Sequence, residues 1–128
     1  RARELNEPTV FAPIATIAAF RRGETWRREM LAYVEDNIRF VEAYCRDHLP
    51  AVRPVRPEAS FLVWLDCRRL GLNREQLLDL FVDKAHLALN DGEMFGTVGA
   101  GFMRLNVGTP RAVLEQAMRQ LAEAIAQL

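Results

Sequence analysis

The sequence GEMFGTVGAGFMRLNVGTPR, residues 92–111, decides the fold that we predict for this chain. It reads as a glycine-rich loop over residues 92–101, then a strand, then the first residues of a helix. Four of the seven glycines of the chain fall in that loop. Glycine permits positive φ angles and a close approach of the backbone to another group. We therefore expect a tightly folded loop that leads directly into the strand.

The strand after the loop has an apolar face and a mixed face. Because successive side chains of a strand point to opposite sides, Met103, Leu105 and Val107 share a wholly apolar face that should meet a core. Arg104 and Asn106 lie on the other face. A guanidinium can bind a carboxylate or a phosphate through two parallel hydrogen bonds. Arg104 is therefore the sharpest candidate for binding an anion, and an ordinary ion pair with a surface carboxylate is the alternative.

Two helices are predicted before the sheet begins. Phe11–Arg22 is apolar on nearly every side, which is typical of a buried helix, and Gly23 ends it. Residues 24–49 carry apolar side chains at a spacing close to the helical repeat, with charges of both signs on the other face. At the usual rise per residue this second helix is about 40 Å long. That length would suit a helix that links two domains.

The next elements form strands and one helix. Prolines at positions 50, 54 and 57 restrict the segment between them to an edge strand. Phe61–Leu65 is continuously apolar, which indicates a strand buried on both faces. Asn73, with Gln76 three residues later, marks the start of a helix. Residues 87–89 are predicted to form a short strand that leads into the glycine loop.

The last helix is predicted to start with Thr109 as its N-cap and Pro110 as its first residue. From residue 52 onward the element order is therefore β-β-α-β-β-α, preceded by the long helix. This order predicts an α/β fold of α+β-like character. We expect a small sandwich with the helices on one face of a mixed sheet. The other face, which carries Arg104 and Asn106, is left open.

Composition excludes several classes of function. Seventeen basic and seventeen acidic residues give zero net charge, so nothing suggests a nucleic-acid or an anionic-membrane partner. No apolar run reaches the roughly 20 residues that a membrane-spanning helix needs. We expect Cys45 and Cys67 to be reduced thiols in a cytosolic (cytoplasmic) protein.

The sequence shows no self-sufficient catalytic site. Cysteine and histidine do not cluster at metal-binding spacing, and Ser60 is the only serine, which argues against a serine hydrolase. Lys84 is the only lysine; it lies near a predicted helix end, where a solvated cation is the simpler interpretation. His48 is interpreted in the same way. The abrupt start of the pattern suggests a piece of a longer protein.

Three segments resemble one enzyme family. PEASFLVWLD (57–66) is similar to the start of the small domain of fold-type I pyridoxal-phosphate (PLP) enzymes. GEMFG (92–96) and GFMRLNVGTPR (101–111) resemble the C-terminal motif of the class I/II aminotransferase superfamily. The combination of WLD with RLN is most similar to the MalY/PatB group of cystathionine and cysteine-S-conjugate β-lyases. AAFRRGETW (18–26) also resembles that group, with Phe20 where a tyrosine is commoner.

The resemblance implies a role for each matching residue. Arg104 would bind the α-carboxylate of an amino-acid substrate, with Asn106 as a weaker, indirect neighbour. The active-site loop would include Gly92, Phe95, Gly96 and Gly99, with a role in shape and closure. Such enzymes hold PLP on a lysine with an aspartate at the ring nitrogen, and Lys84 does not match that lysine. No catalytic, cofactor-binding or metal-binding residue is therefore expected in this chain, and the chain alone should be inactive.

The resemblance also implies the domain organisation and the partners. Residues 1–22 would be the end of a large PLP domain, and 23–128 would be the C-terminal small domain with its linking helix 24–49. The full enzyme would use PLP, act on sulfur-containing or other amino acids and form a homodimer. Its reaction would release a thiol, pyruvate and ammonia. A class I/II aminotransferase is the alternative within the family, and a non-catalytic interaction module is the alternative outside it.

Overall fold

The computed structural model describes residues 9–128, which divide into two compact units. The first unit ends at Tyr33, and the second is Val34–Leu128. In the first unit, helix α1 (Phe11–Arg22) ends at Gly23, and helix α2 (Glu24–His48) begins immediately after it. Both helices have the bounds that the sequence predicts to within one residue. None of the described helices has the length and apolarity needed to cross a membrane.

Helix α1 differs from its prediction in one respect. Its all-round apolar sequence predicts burial, yet none of its residues is buried. Its large apolar side chains are exposed, namely Phe11, Ile14, Ile17 and Phe20. Among its described residues, the unit that contains α1 holds little besides it except the first turns of α2, and these are too few to cover a helix of this kind.

The second unit is built on a four-stranded sheet with the strand order β1-β2-β4-β3. The strands are β1 (Arg53–Val55), β2 (Leu62–Asp66), β3 (Asn90–Asp91) and β4 (Phe102–Asn106). Helix α3 (Arg74–Asp79) continues into a π-helical turn, Leu80–Lys84, and helix α4 (Arg111–Ile125) ends the fold. The predicted α+β class is confirmed.

The sheet is antiparallel throughout, which corrects the predicted mixed sheet. β2 and β3 do run in the same direction, as expected for two strands joined by a helix. However, β4 inserts between them and runs against both. β3 is also shorter and later than the predicted strand over 87–89, because the backbone N–H of Leu89 donates to the carbonyl of Leu87 at 3.0 Å and this tight turn interrupts the extended chain.

Each central strand buries one face only. Met103, Leu105 and Val107 are buried, as the alternation predicts, and Val63 and Leu65 of β2 join them. The remaining β2 residues are only half-buried, so the predicted burial of β2 on both faces is wrong. The helices cover one side of the sheet with buried apolar residues of α2, α3, its π-helical turn and α4, and in the described chain the opposite side stays open.

A buried asparagine ties α2 to the end of β4. Asn37 is fully buried, and its Nδ2 donates to the carbonyls of Val107 at 2.8 Å and Thr109 at 2.9 Å. Its Oδ1 accepts a hydrogen bond from Nε of Arg111 at 2.8 Å. All the polar atoms of this side chain are thus used in fixing the connection between β4 and α4. Sequence periodicity could not show this, because Asn37 sits on the apolar stripe like a core residue.

The same connection corrects the predicted start of α4. The helix begins at Arg111, and Pro110 precedes it with an extended ψ of 139°. Thr109 does not cap the helix through its side chain. Instead, its carbonyl accepts from Asn37, and this bond holds Thr109 outside the helix.

Both cysteines are free and buried. Burial raises the pKa of the Cys45 thiol to about 12. Burial, with a smaller effect of the nearby Asp66 carboxylate, also raises the pKa of the Cys67 thiol to about 12. Both side chains therefore stay protonated at neutral pH and serve as small apolar core residues.

Replacing Asn37 should destabilise the fold strongly. Asn37→Ala removes the side-chain hydrogen bonds of one buried and one part-buried carbonyl, together with one hydrogen bond of Arg111, so we expect a loss of about 2–4 kcal/mol in the free energy of unfolding. Urea denaturation would measure this loss. Gln116→Ala, at an exposed position of α4, is the control and should change stability by less than about 0.5 kcal/mol. Equal stability of the two variants would contradict the role given to Asn37.

Candidate active-site face

A row of four residues crosses the open face of the sheet. Val55 pairs with Trp64, Trp64 pairs with Arg104, and Arg104 pairs with Asn90, so each strand contributes one residue to the row. Directly paired residues of antiparallel strands point to the same side. The row therefore places an apolar pair next to a cation and an amide.

Arg104 is held from two directions. Its Nη2 donates to Oδ1 of Asn90 at 2.8 Å, and its guanidinium lies over the ring of Phe95, 4.5 Å from the ring centroid. Phe95 in turn meets Trp64 edge to face, with 5.5 Å between centroids. A cation over an aromatic face is attracted by the ring quadrupole. The side chain is thus oriented before any ligand arrives.

One donor of Arg104 has no acceptor. Its Nε is buried and makes no hydrogen bond within the described chain. Seven other arginines of the described chain are paired with carboxylates, namely Arg27, Arg28, Arg39, Arg46, Arg56, Arg68 and Arg74. A buried donor without a partner costs about 1–3 kcal/mol. Arg104 is therefore preorganised but incompletely satisfied, as a residue that binds an external anion would be.

The glycine loop closes on itself through two of its glycines. A Cβ added to Gly92 would lie 2.2 Å from the carbonyl oxygen of Gly99, and one added to Gly99 would lie 2.1 Å from the carbonyl oxygen of Gly92. Between them, two short 3₁₀ turns cover Gly92–Phe95 and Thr97–Gly99. Gly96, with φ of 123°, lies between the turns and allows the reversal. This closure sets Phe95 over the sheet.

The strand that carries Asn90 is anchored from α3. Nε of Arg74 donates to Oδ2 of the buried Asp91 at 2.7 Å, and Oδ1 of Asp91 accepts from the backbone N–H of Glu93 at 3.0 Å. Arg74 itself follows the predicted N-cap Asn73, whose capping box with Gln76 is confirmed. The hydrogen bond and charge of Asp91 raise the pKa of Arg74. Arg74 in the first turn of α3 thus positions β3, and Asn90 of β3 positions Arg104.

An apolar pocket lies beside Arg104 on the same face. Its volume is about 440 Å³, and it is lined only by apolar side chains and glycines: Val55, Trp64, Gly92, Phe95, Val98, Gly99 and Phe102. At its margin, Arg68 stacks over Phe102 at 4.8 Å and donates two hydrogen bonds to Asp66. The Arg68 guanidinium holds the pKa of Asp66 below its usual range.

The structure brings most of the sequence-predicted residues to this face. Phe95 contacts Arg104, and Gly92 and Gly99 line the adjacent pocket. Asn106 lies two residues along the strand, exposed, with its Oδ1 accepting from the backbone N–H of Gly108 at 2.8 Å. Its oxygen therefore serves a turn, and its indirect role at the site stays a prediction.

Sequence reasoning missed Asn90 and the part that Trp64 plays at this face. Asn90 precedes the glycine loop without any motif of its own, and only the pairing of β3 with β4 places it opposite Arg104. The apolar run predicts Trp64 as a core residue, although it is only half-buried. The available signal was its even spacing from Leu62 and Asp66, which assigns all three to one face.

None of the described residues fits the role of the lysine that holds PLP in the family that the sequence resembles. Lys84 is exposed at the end of the π-helical turn and forms an ion pair with Asp79 at 3.2 Å. A lysine that binds an aldehyde cofactor needs a desolvated environment to lose its proton, and Lys84 has none. His48 is likewise exposed, and its ring lies against that of Tyr44 in a tilted arrangement with 4.6 Å between centroids.

The architecture is similar to the C-terminal part of aminotransferase-like, PLP-dependent enzymes. No protein-family model matches the chain. It is 36% identical over 115 residues to the cystathionine β-lyase PatB of Bacillus subtilis, covering 90% of this chain and 30% of PatB. It is 32% identical over 121 residues to the protein MalY of Escherichia coli, covering 94% of this chain and 31% of MalY.

Solved structures agree with these relatives. The PLP-bound C–S lyase of Staphylococcus hominis superposes with a TM-score of 0.80 at 26% identity, covering 89% of this chain and 30% of that one. The homologues of the chain are thus the MalY/PatB cystathionine β-lyases and PLP-dependent aminotransferases, and the chain corresponds to their C-terminal part. It spans about a third of the length of these relatives.

Closing the loop should depend on glycine at position 99. In Gly99→Ala the added Cβ collides with backbone, which cannot move aside as a side-chain tip can. We expect a loss of at least about 2 kcal/mol in unfolding free energy, or an opened loop without the contact between Phe95 and Trp64. Urea denaturation and proton distances between the two rings would measure these effects. Ala100→Ser, one exposed residue further, should leave both measurements unchanged; if Gly99→Ala does the same, the closure is not needed.

Proposed function

We propose that this chain is the C-terminal small domain of a PLP-dependent C–S β-lyase of the MalY/PatB type, in which Arg104 binds the α-carboxylate of the amino-acid substrate. The observation that carries the proposal is the buried, unpartnered Nε of Arg104 on the open face of the sheet. The homology to PatB and MalY supplies the class of reaction.

The contacts of Arg104 support a carboxylate as its ligand. Nη2 donates one of its two hydrogens to Asn90, and its second hydrogen remains available. Nη2 and Nε lie on the same edge of the guanidinium. A carboxylate can accept from two such neighbouring donors at once. The Phe95 ring contacts the face of the guanidinium and uses none of the N–H donors in its plane, which a planar, bidentate ligand would need. Binding would also satisfy the donor that is otherwise left without a partner.

In the complete enzyme, this chain would orient the substrate. A carboxylate fixed at two points limits the rotation of the substrate, so the Cα–H bond can be held in the direction that the reaction requires. PLP would be held outside the residues described here, and when bound it supplies the electron sink for breaking that bond. The chain alone is therefore expected to lack activity.

The domain and partner assignments belong to the same proposal. Residues 1–22 would end the large PLP domain, although 1–8 lie outside the described residues, and 23–128 would form the small domain with its linking helix. The exposed apolar side chains of α1 support a covering partner such as that large domain. A cytosolic homodimer is the expected state of the complete protein, and the two buried thiols fit a reducing compartment.

A PLP-dependent aminotransferase is the second candidate. The homologues include the arginine–pyruvate transaminase of Pseudomonas aeruginosa, at 30% identity over 117 residues. A carboxylate-binding arginine serves both reactions equally, so this face does not separate them. Supplying the complete enzyme with cystathionine, and separately with an amino acid and a 2-oxo acid, distinguishes them by product: pyruvate and thiol in one case, a new amino acid in the other.

Replacing Arg104 in the complete enzyme should weaken substrate binding. For Arg104→Lys we expect KM to rise at least tenfold, because a lysine cannot make the bidentate contact. Steady-state kinetics with cystathionine would measure this change. Arg119→Lys, at an exposed position of α4, is the matched control and should leave KM unchanged. A KM unaffected by Arg104→Lys would show that the carboxylate binds elsewhere.

A further inference from the structure

We propose that the apolar pocket beside Arg104 binds the apolar side chain of the same ligand whose carboxylate Arg104 holds. This inference rests on the proposed function and deepens it. The substrates would be amino acids with an aromatic or branched aliphatic group at the far end of the side chain. Within the C–S lyase reaction, these are substrates whose sulfur carries an apolar substituent.

The pocket has the size and chemistry of a small-molecule site. Ligand pockets usually enclose about 300–1,000 Å³ and have mainly apolar walls with a few polar groups that fix orientation. This pocket encloses about 440 Å³, and three of its lining residues are aromatic: Trp64, Phe95 and Phe102. Arg104 supplies the polar group that such a site needs. It is paired with Trp64 on the neighbouring strand.

The pocket and Arg104 are continuous. Val55, Trp64 and Arg104 occupy one row on three adjacent strands. Neighbouring strands are about 4.8 Å apart, so Val55 lies about 10 Å from Arg104 along the row. Phe95 contacts both the guanidinium and Trp64, and it also lines the pocket. A ligand anchored at Arg104 and extending along the row would therefore enter the pocket without leaving the surface of the sheet.

The charges around the pocket favour an apolar occupant over a charged one. The nearest ion pair joins Arg68 and Asp66 at 2.7 Å, so both groups already have partners. Arg68 presents its guanidinium to the Phe102 ring. A charged group at the far end of a ligand would lose water in the pocket and find no partner among the lining residues. An apolar group of the same size would gain from leaving water.

The test uses the 128-residue chain and three probes: acetate, 3-phenylpropionate and the neutral 3-phenylpropionamide. Nuclear magnetic resonance would follow the Nε–H signal of Arg104, assigned from Arg104→Lys, and the methyl signals of Val55 and Val98. We expect acetate to shift the Arg104 signal alone. 3-Phenylpropionate should shift the arginine and the methyl signals together, with a Kd at least tenfold lower than that of acetate. The amide should bind at least tenfold more weakly than 3-phenylpropionate.

A matched pair of variants locates the apolar contact. Val55→Asn places an amide in the pocket and should reduce the advantage of 3-phenylpropionate over acetate to less than threefold, while acetate still shifts Arg104. Val113→Asn makes the same change at an exposed position of α4 and should leave the advantage intact. Val55→Thr, which keeps the side-chain volume, is the second pocket variant and should also reduce the advantage. Amide spectra would confirm that each variant is folded.

The outcomes separate the two proposals. If acetate leaves the Arg104 signal unmoved, both the carboxylate site and the pocket proposal are overturned. If acetate shifts Arg104 but 3-phenylpropionate binds no more tightly, the carboxylate site stands and the pocket proposal is overturned. If the pocket methyl signals change on diluting the ligand-free chain, a second copy covers the pocket, and this too overturns the proposal.

Discussion

The structure depends on the one-sided burial of β4. Met103, Leu105 and Val107 lie under the helices, and the twofold period of a strand then turns Phe102, Arg104 and Asn106 to the other side. A shift of register by one residue would bury the arginine and expose the core. The position of Arg104 is therefore set by the hydrophobic effect acting on its neighbours, and Asn37 fixes the end of the strand with three hydrogen bonds.

Around this strand, the site is assembled from weak and local contacts. Arg74 at the start of α3 holds Asp91, the adjacent Asn90 holds Arg104, and Phe95 lies against the guanidinium. These residues come from three different parts of the fold: α3, β3 and the glycine loop. Phe95 belongs to the glycine loop that precedes Arg104, and the other residues lie further away in the sequence. This arrangement explains how a small domain can present an oriented cation without burying a countercharge beside it.

The sequence was sufficient to predict the structure where the spacing of apolar residues or a helix cap determined it. The alternation of β4, the long helix and the capping box at Asn73 were all predicted correctly, because each follows from contacts within a few residues. The errors lie where distant contacts decide. Thr109 is kept out of α4 by a hydrogen bond from Asn37, and β3 lies next to β4 because the two pair across the sheet, which no local pattern in residues 87–89 reveals. The same limit hid Asn90 from the predicted site.

The closure between Gly92 and Gly99 has a consequence for how this surface can vary during evolution. Its two ends approach each other backbone to backbone, so insertions and deletions are constrained, because this approach requires a fixed path length. The side chains between them meet no such restriction, and Met94 and Val98 are largely exposed. Substitutions at constant loop length can therefore alter the shape of the rim while the backbone path that places Phe95 against the guanidinium is kept.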